Sequence, residues 1–178
     1  MALDEGLRCG HFGLDSLMEG VGAMRGTTGV EKIRSAAELA TPWSESPRES
    51  SLKVKLRRAG LPSPYQQVDL FDGRGRFVGR ADFYFPEARL AVEYDGVTKT
   101  RGNFGVEPEA AALAEMRRAR ALLNAGHHLR RVDRHNYGNG EGVASIVAVY
   151  RELVGGIAPA GRTLWVVRGG PAWVGLRH

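Results

Sequence analysis

The pattern of apolar residues predicts an α/β fold of the α+β kind, in which one mixed β-sheet is flanked by helices and preceded by a small helical extension. Three runs rich in β-branched and aromatic residues (65–71, 77–85 and 89–94) follow one another with only tight turns between them, as in an antiparallel meander. An alanine-rich stretch at 107–125 then leads into Leu129-Arg130-Arg131-Val132, a strand that returns after a helix and so adds a parallel pair to the sheet. A length of 178 residues suits one core with a small appendage, and 43% hydrophobic with 25% charged residues excludes a disordered tail or a fibre.

Residues 1–43 are the extension. Leu3, Leu7, Leu14, Leu17, Met18 and Val21, then Val30, Ile33, Ala37 and Leu39, are spaced as two short helices separated by the glycine-rich stretch 20–30. Thr41, Pro42, Ser44 and Ser46 mark a boundary, and the main domain is expected over 44–156. Ser46-Pro47-Arg48-Glu49 reads as a helix start: Ser46 suits the N-cap, Pro47 the first helical position, and Glu49 closes a capping box. Leu52, Leu56 and Ala59 then recur on one face until Gly60 and Leu61-Pro62 stop the helix.

Asp72-Gly73-Arg74-Gly75 is a hairpin turn signal between the first two strands, and Pro86-Glu87-Ala88 is a tight corner between the second and third. The helix at 107–125 opens with Glu107-Pro108 and closes at Gly126, with Leu113, Met116 and Leu122 or Leu123 expected as its buried stripe. Val143, Ile146, Val147 and Tyr150 give a last helical period from about Glu141, and residues 137–142 before it read as loop. In the C-terminal segment, 157–178, the run Thr163-Leu164-Trp165-Val166-Val167 is a candidate edge strand.

Net charge is +5, and residues 44–135 carry all of the excess, with 17 Lys+Arg against 12 Asp+Glu. A polyanionic partner is the expectation. Cys9, the single cysteine, closes no disulfide within the chain and builds no zinc-ribbon spacing. No apolar run approaches the roughly 18 residues of a spanning helix, and the opening MALDEGLRCG lacks the basic-then-apolar order of a signal peptide. A soluble, cytoplasmic protein with no membrane partner is expected.

The most specific chemical pattern is Asp82 on one strand with Glu93 and Asp95 on the next. Residues two apart on a strand share a face, so Glu93 and Asp95 are neighbours, and the short corner lets Asp82 reach them from the paired strand. Converging carboxylates are costly unless something positive sits among them. A divalent cation with hard oxygen ligands is one resolution, and it suits phosphodiester hydrolysis. Ion pairs to Arg80, Arg89 or Arg131 are the other.

The order of a helix with Glu49, then Asp82, then Glu93 in an apolar strand resembles the PD-(D/E)XK nuclease superfamily, whose restriction-endonuclease-like core is a mixed sheet flanked by helices. Closer still, Val92-Glu93-Tyr94-Asp95-Gly96-Val97-Thr98-Lys99, then Glu115-Met116-Arg117-Arg118, Leu122, Gly126 and Leu129-Arg130-Arg131-Val132, resemble the uncharacterised domains related to very short patch repair endonucleases. In that family the third strand reads roughly E-x-D-G-x-x-H. The next helix reads D-x-x-R-x-x-x-L-x-x-x-G, before a strand ending in Arg. The resemblance covers about residues 44–134, and residues 1–43 resemble the segment that precedes this domain in antitoxin-like regulators of abortive-infection systems.

What the resemblance implies is a DNA endonuclease or nickase dependent on Mg²⁺ or Mn²⁺, acting in DNA repair or in defence against phage and mobile elements. Asp82 and Glu93 would be the metal ligands, and Glu49 a helix-borne acid that holds a metal-bound water. Asp95 stands where the superfamily usually has lysine, and Lys99 replaces the family's histidine, so Lys99 would either supply the missing positive charge or stand as a solvated loop lysine after the Gly96 turn. The altered lysine position also suits a catalytically inactive DNA-binding or antitoxin-like module of the same fold. Arg117 and Arg118 on the long helix, with Arg80 and Arg131 on strands, would contact DNA phosphates. A homodimer, or a partner protein that supplies specificity, fits a nuclease with one site per chain. His127, His128 and His135 lack metal-ligand spacing and are expected as exposed strand-end residues.

Overall fold

A five-stranded mixed sheet organises the main part of the chain, in the spatial order β4-β3-β2-β1-β5. The computed structural model describes residues 1–95, 108–156 and 163–167, and the chain divides into two compact units, 1–55 and 56–178. Among the described residues no helix is long and apolar enough to cross a membrane.

In the first unit α1 (Ala2–Arg8), α2 (Leu14–Ala23) and α3 (Val30–Glu38) precede α4 (Pro47–Arg58), whose last turn lies in the second unit. The sequence pattern predicts two helices before Ser46, and the structure has three. Gly10 takes the left-handed backbone (φ +72°) just after α1 and turns the chain there, which splits the first apolar run. Polar burial ties the unit together. Lys53 Nζ is 2.9 Å from Asp4 Oδ2, the two side chains are about 5% exposed, and Asp4 also accepts from Ser44 Oγ (2.9 Å) and the Thr41 N–H (3.1 Å). Burial opposes charge on Asp4, but the donors gathered around it outweigh that and hold its carboxyl below the usual range. Removing one partner of such a pair strands the other charge. Lys53→Met is expected to cost about 3–5 kcal/mol in chemical denaturation, and adding Asp4→Leu should recover part of that loss.

In the second unit β1 (Tyr65–Phe71), β2 (Phe77–Phe85) and β3 (Leu90–Asp95) form the predicted antiparallel meander, and β4 (His128–Asp133) pairs with β3 in parallel. Asp72 closes the first hairpin, its carboxylate accepting from the Arg74 and Arg76 N–H groups, each at 2.9 Å. β3 starts one residue later than predicted because Arg89 takes a left-handed φ of +47° at the end of the Pro86–Ala88 turn. β5 (Leu164–Val167) lies antiparallel along β1 at the sheet edge, as predicted.

Helices cover both faces. α5 (Pro108–Asn124) packs Leu122 into a core of Val68, Leu70, Ala81, Tyr84, Ala91 and Trp165. On the other face α7 (Glu141–Gly155) sets Tyr150 against Phe85, with ring centroids 5.2 Å apart, and Gly142 against Val132. The predicted stripe on α5 is corrected: Leu113, Met116 and Leu123 are exposed and only Leu122 is fully buried. Arg118 and Glu115, one and two turns before Leu122, take the sheet-facing positions instead. The loop predicted at 137–142 is also corrected. Asp133 and Asn136 form a reciprocal cap that starts a short helix, α6 (Arg134–Gly138), and Gly140 (φ +82°) turns the chain into α7.

His127 is fully buried, not an exposed strand-end residue. Its Nε2 is 3.2 Å from the Phe71 carbonyl, which only accepts, so Nε2 donates and Nδ1 accepts the Tyr84 hydroxyl at 2.9 Å. That assignment requires the neutral ring, and burial pushes the His127 pKa down. A base whose folded pKa lies below its unfolded value binds more protons when unfolded, so its contribution to stability is lost as pH falls below about 6.5. Between that pH and the folded pKa the loss approaches about 1.4 kcal/mol per pH unit. Thermal melts at pH 7.5 and 5.5 should therefore show a larger acid destabilisation for wild type than for His127→Gln.

Candidate functional site

Of the acids predicted to converge, Glu93 and Asp95 alternate onto one face of β3, and Asp82 lies on the neighbouring strand β2. Phe83 is registered with Val92, so Asp82 and Glu93 occupy the next position of the β2–β3 pair. The paired ladder stops at Phe83, and the Asp82 carboxylate takes over there, accepting the Tyr94 N–H at 2.8 Å. On the other side Glu93 is registered with Arg131 and Asp95 with Asp133 in the parallel β3–β4 pair.

The positive charge that compensates this face comes from arginine. Glu93 is buried, and both of its carboxylate oxygens are engaged. Arg118 Nη2 donates to Oε1 in a very short contact, while Arg118 Nη1 (3.1 Å) and Arg131 Nε (3.2 Å) donate to Oε2. Arg118 also donates to the Arg80 carbonyl (2.8 Å) and to Glu115 Oε1 (3.4 Å). Arg131 Nη2 contacts the same Glu115 oxygen. Two carboxylates and two guanidiniums thus close a ring between α5, β3 and β4. The contact with Glu93, helped by the charge of Asp82, raises the Arg118 pKa and keeps that guanidinium charged.

Local sequence explains the placement. Glu115, Arg118 and Leu122 recur at three- and four-residue spacing on α5, so the helix face that packs on the sheet is ionic at its middle and apolar near its C-terminal end. Gly79 on β2 leaves room for the guanidinium, since a Cβ built there would stand 3.0 Å from Arg118 Nε.

Of the residues predicted for the site, Glu93, Arg118 and Arg131 meet here, with Arg80 contributing its backbone carbonyl, while the Asp82 carboxylate binds the Tyr94 N–H. Arg118 and Arg131, expected to face phosphates, are turned onto Glu93 and Glu115 and are 28% and 32% exposed. Arg117 lies exposed on α5 and Asp95 is half-buried at the end of β3. Glu49 belongs to the first unit, where Ser46 caps its N–H as predicted and its carboxylate reaches back one residue further than a capping box requires. Its carboxylate accepts from the Glu45 N–H (2.9 Å) and the Ser46 hydroxyl (2.8 Å), while its own N–H donates to Ser46 Oγ (3.2 Å). Lys99 lies outside the described residues.

Two features escape sequence reasoning. Glu115 reads as a partner of Arg118 alone, yet it also receives Arg131 from another strand. Gln67 is buried with a left-handed φ of +51° in the middle of β1, between the pairs Gln66–Phe83 and Val68–Ala81, hence opposite Asp82. No glycine or turn residue signals that kink.

Among the described residues no group of three or more His, Cys, Asp or Glu side chains is arranged to hold a metal ion. Asp82 and Glu93 have the donor chemistry for a hard divalent cation. Glu93 fits that role only where the guanidiniums of Arg118 and Arg131 have moved off its oxygens.

No family model matches the chain, and no solved structure matches it. It is similar to two proteins called uncharacterized, MT2308 of Mycobacterium tuberculosis strain CDC 1551 / Oshkosh and Rv2248 of strain ATCC 25618 / H37Rv. Each is 32% identical over 95 residues, which is 53% of this chain and 35% of the relative. The chain thus matches about a third of the length of these relatives.

The ring makes a stability prediction. Arg118→Met is expected to destabilise by about 1–3 kcal/mol, less than for a fully buried pair because the guanidinium is partly exposed. The double variant Arg118→Met/Glu93→Gln should lose less than the sum of the two singles in urea denaturation, because the stranded carboxylate is then gone.

Proposed function

We propose that this chain is a metal-dependent phosphodiester hydrolase acting on nucleic acid, with Asp82 and Glu93 as the residues that would hold Mg²⁺ or Mn²⁺. The observation that carries the reading is the placing of Asp82 and Glu93 on neighbouring strands, with Glu93 bound to the Arg118 guanidinium, whose pKa the charge of Asp82 also raises. A bound divalent ion would supply Lewis-acid polarisation of a phosphodiester and stabilise charge on the leaving oxygen. The chain's own residues do the rest. Asp82, fixed by the Tyr94 N–H, presents a carboxylate at the end of the paired ladder. Arg118 and Arg131 are the cations nearest the acids and match the fork geometry of a phosphate. Arg117, exposed on the same helix, extends the positive surface toward a polyanion. Nucleic acid is favoured as the substrate class by the charge excess in residues 44–135.

A second reading, a binding module of the same fold without turnover, is favoured by one specific observation: both oxygens of Glu93 are already engaged by arginine. The two readings separate in one assay. Wild type and Asp82→Ala are incubated with supercoiled plasmid in Mg²⁺, in Mn²⁺ and in EDTA. The hydrolase reading expects metal-dependent nicking or linearisation that falls by about two orders of magnitude or more in Asp82→Ala, with the variant's circular dichroism melt retained. DNA retained in a gel shift, unchanged by EDTA and without cleavage by folded wild type, selects the binding module.

A further inference from the structure

We infer that the outward face of α5 is the contact through which two copies of this chain pair, antiparallel and about a two-fold axis. The helix is covered on one side only. Glu115, Arg118 and Leu122 turn toward the sheet, while Leu113, Met116 and Leu123 are 47%, 71% and 62% exposed. Those three fall in one line with Glu109 and Arg120, which are exposed too. Alternating steps of four and three residues, from Glu109 to Leu123, put all five within about 80° of arc on the side away from the sheet. That alternation is the seam of a coiled-coil pair. Single exposed apolar side chains are ordinary, whereas a set aligned along one helix marks a contact surface.

The charges choose both the occupant and its direction. An axis passing between Leu113 and Met116 sets Leu113 against the partner's Met116 and Glu109 against the partner's Arg120, and symmetry makes each contact twice. Laid parallel, the same face would set Glu109 against Glu109 and Arg120 against Arg120, like charge on like. A second copy of this chain, antiparallel, therefore supplies the apolar cover and the opposite charge at both ends of it. The contact is self-complementary and closes as a dimer, with no open edge for further growth. One helix stripe is a small contact, so a dissociation constant of about 1–50 µM is expected. The residues involved lie on the face of α5 away from Glu93, so the pairing holds whether or not the chain hydrolyses phosphodiesters.

Sedimentation equilibrium of the full chain, from about 1 to 300 µM, tests the pairing. Wild type is expected to move from 19.4 kDa toward twice that mass as concentration rises. Leu113→Glu is expected to stay monomeric throughout. Should that variant fail to fold by circular dichroism, Met116→Glu, at the most exposed of the three apolar positions, takes its place. Glu109→Arg should weaken association about tenfold or more, and Glu109→Arg combined with Arg120→Glu should restore it, because the swap exchanges the two charges and keeps them opposed. Wild type that is monomeric at about 300 µM overturns the pairing and leaves the stripe to another occupant, residues 96–107 of this chain or a different protein. A dimer that survives Leu113→Glu overturns it as well, by putting the contact elsewhere. A double charge variant no stronger than Glu109→Arg alone overturns the antiparallel arrangement.

Discussion

Compensation of the Glu93 charge is the constraint around which this fold is arranged. A carboxylate buried under a helix, on the strand next to Asp82 and two residues from Asp95, is costly unless cations are brought to it. The protein brings two, one from the covering helix and one from the neighbouring parallel strand. That requirement fixes the rotation of α5, the approach of α5 to β2 at Gly79, and the register between β3 and β4.

The covering helix shows how ionic and apolar packing divide the work. Its C-terminal half is anchored by Leu122 in the core beneath Tyr84 and Ala91. Its middle is anchored by Glu115 and Arg118, whose hydrogen bonds reach two strands and a backbone carbonyl. Apolar burial is non-directional and tolerates repacking, whereas a forked guanidinium demands its acceptors in place. The stretch of the helix nearest Glu93 is thus the one held by geometry rather than by area.

The same ring bears on function. An acidic face needs a cation, and arginine or a divalent ion can each be that cation, so the hydrolase and the binding module differ in which of them occupies the position. The likeness to MT2308 and Rv2248, confined to about a third of their length, places a comparable segment within longer chains and assigns it no chemistry.

Local chemistry decided the elements, and the sequence by itself determined them. Ser46 to Glu49 specified a capped helix start, Asp72 to Gly75 a hairpin, and period-two runs the strands; their bounds follow from propensity and turn geometry within a few residues. The pairing of the strands that carry Asp82 and Glu93 was legible for the same reason, because a short corner joins β2 to β3 and fixes them as antiparallel neighbours. Only the tertiary structure decided what neutralises them. Arg118, Arg131 and Glu115 come from a helix and a strand that meet Glu93 through a crossover, and their spacing suits a solvated helix face equally well. The buried stripe of α5 fell the same way: Leu113, Met116 and Leu122 all satisfy a helical period, and the sheet beneath selects which of them is covered. His127 and Gln67 carry no local signal at all, since burial of one and the kink at the other are set by residues far away in the chain, Tyr84 and Phe71 for the first and the β2 strand for the second.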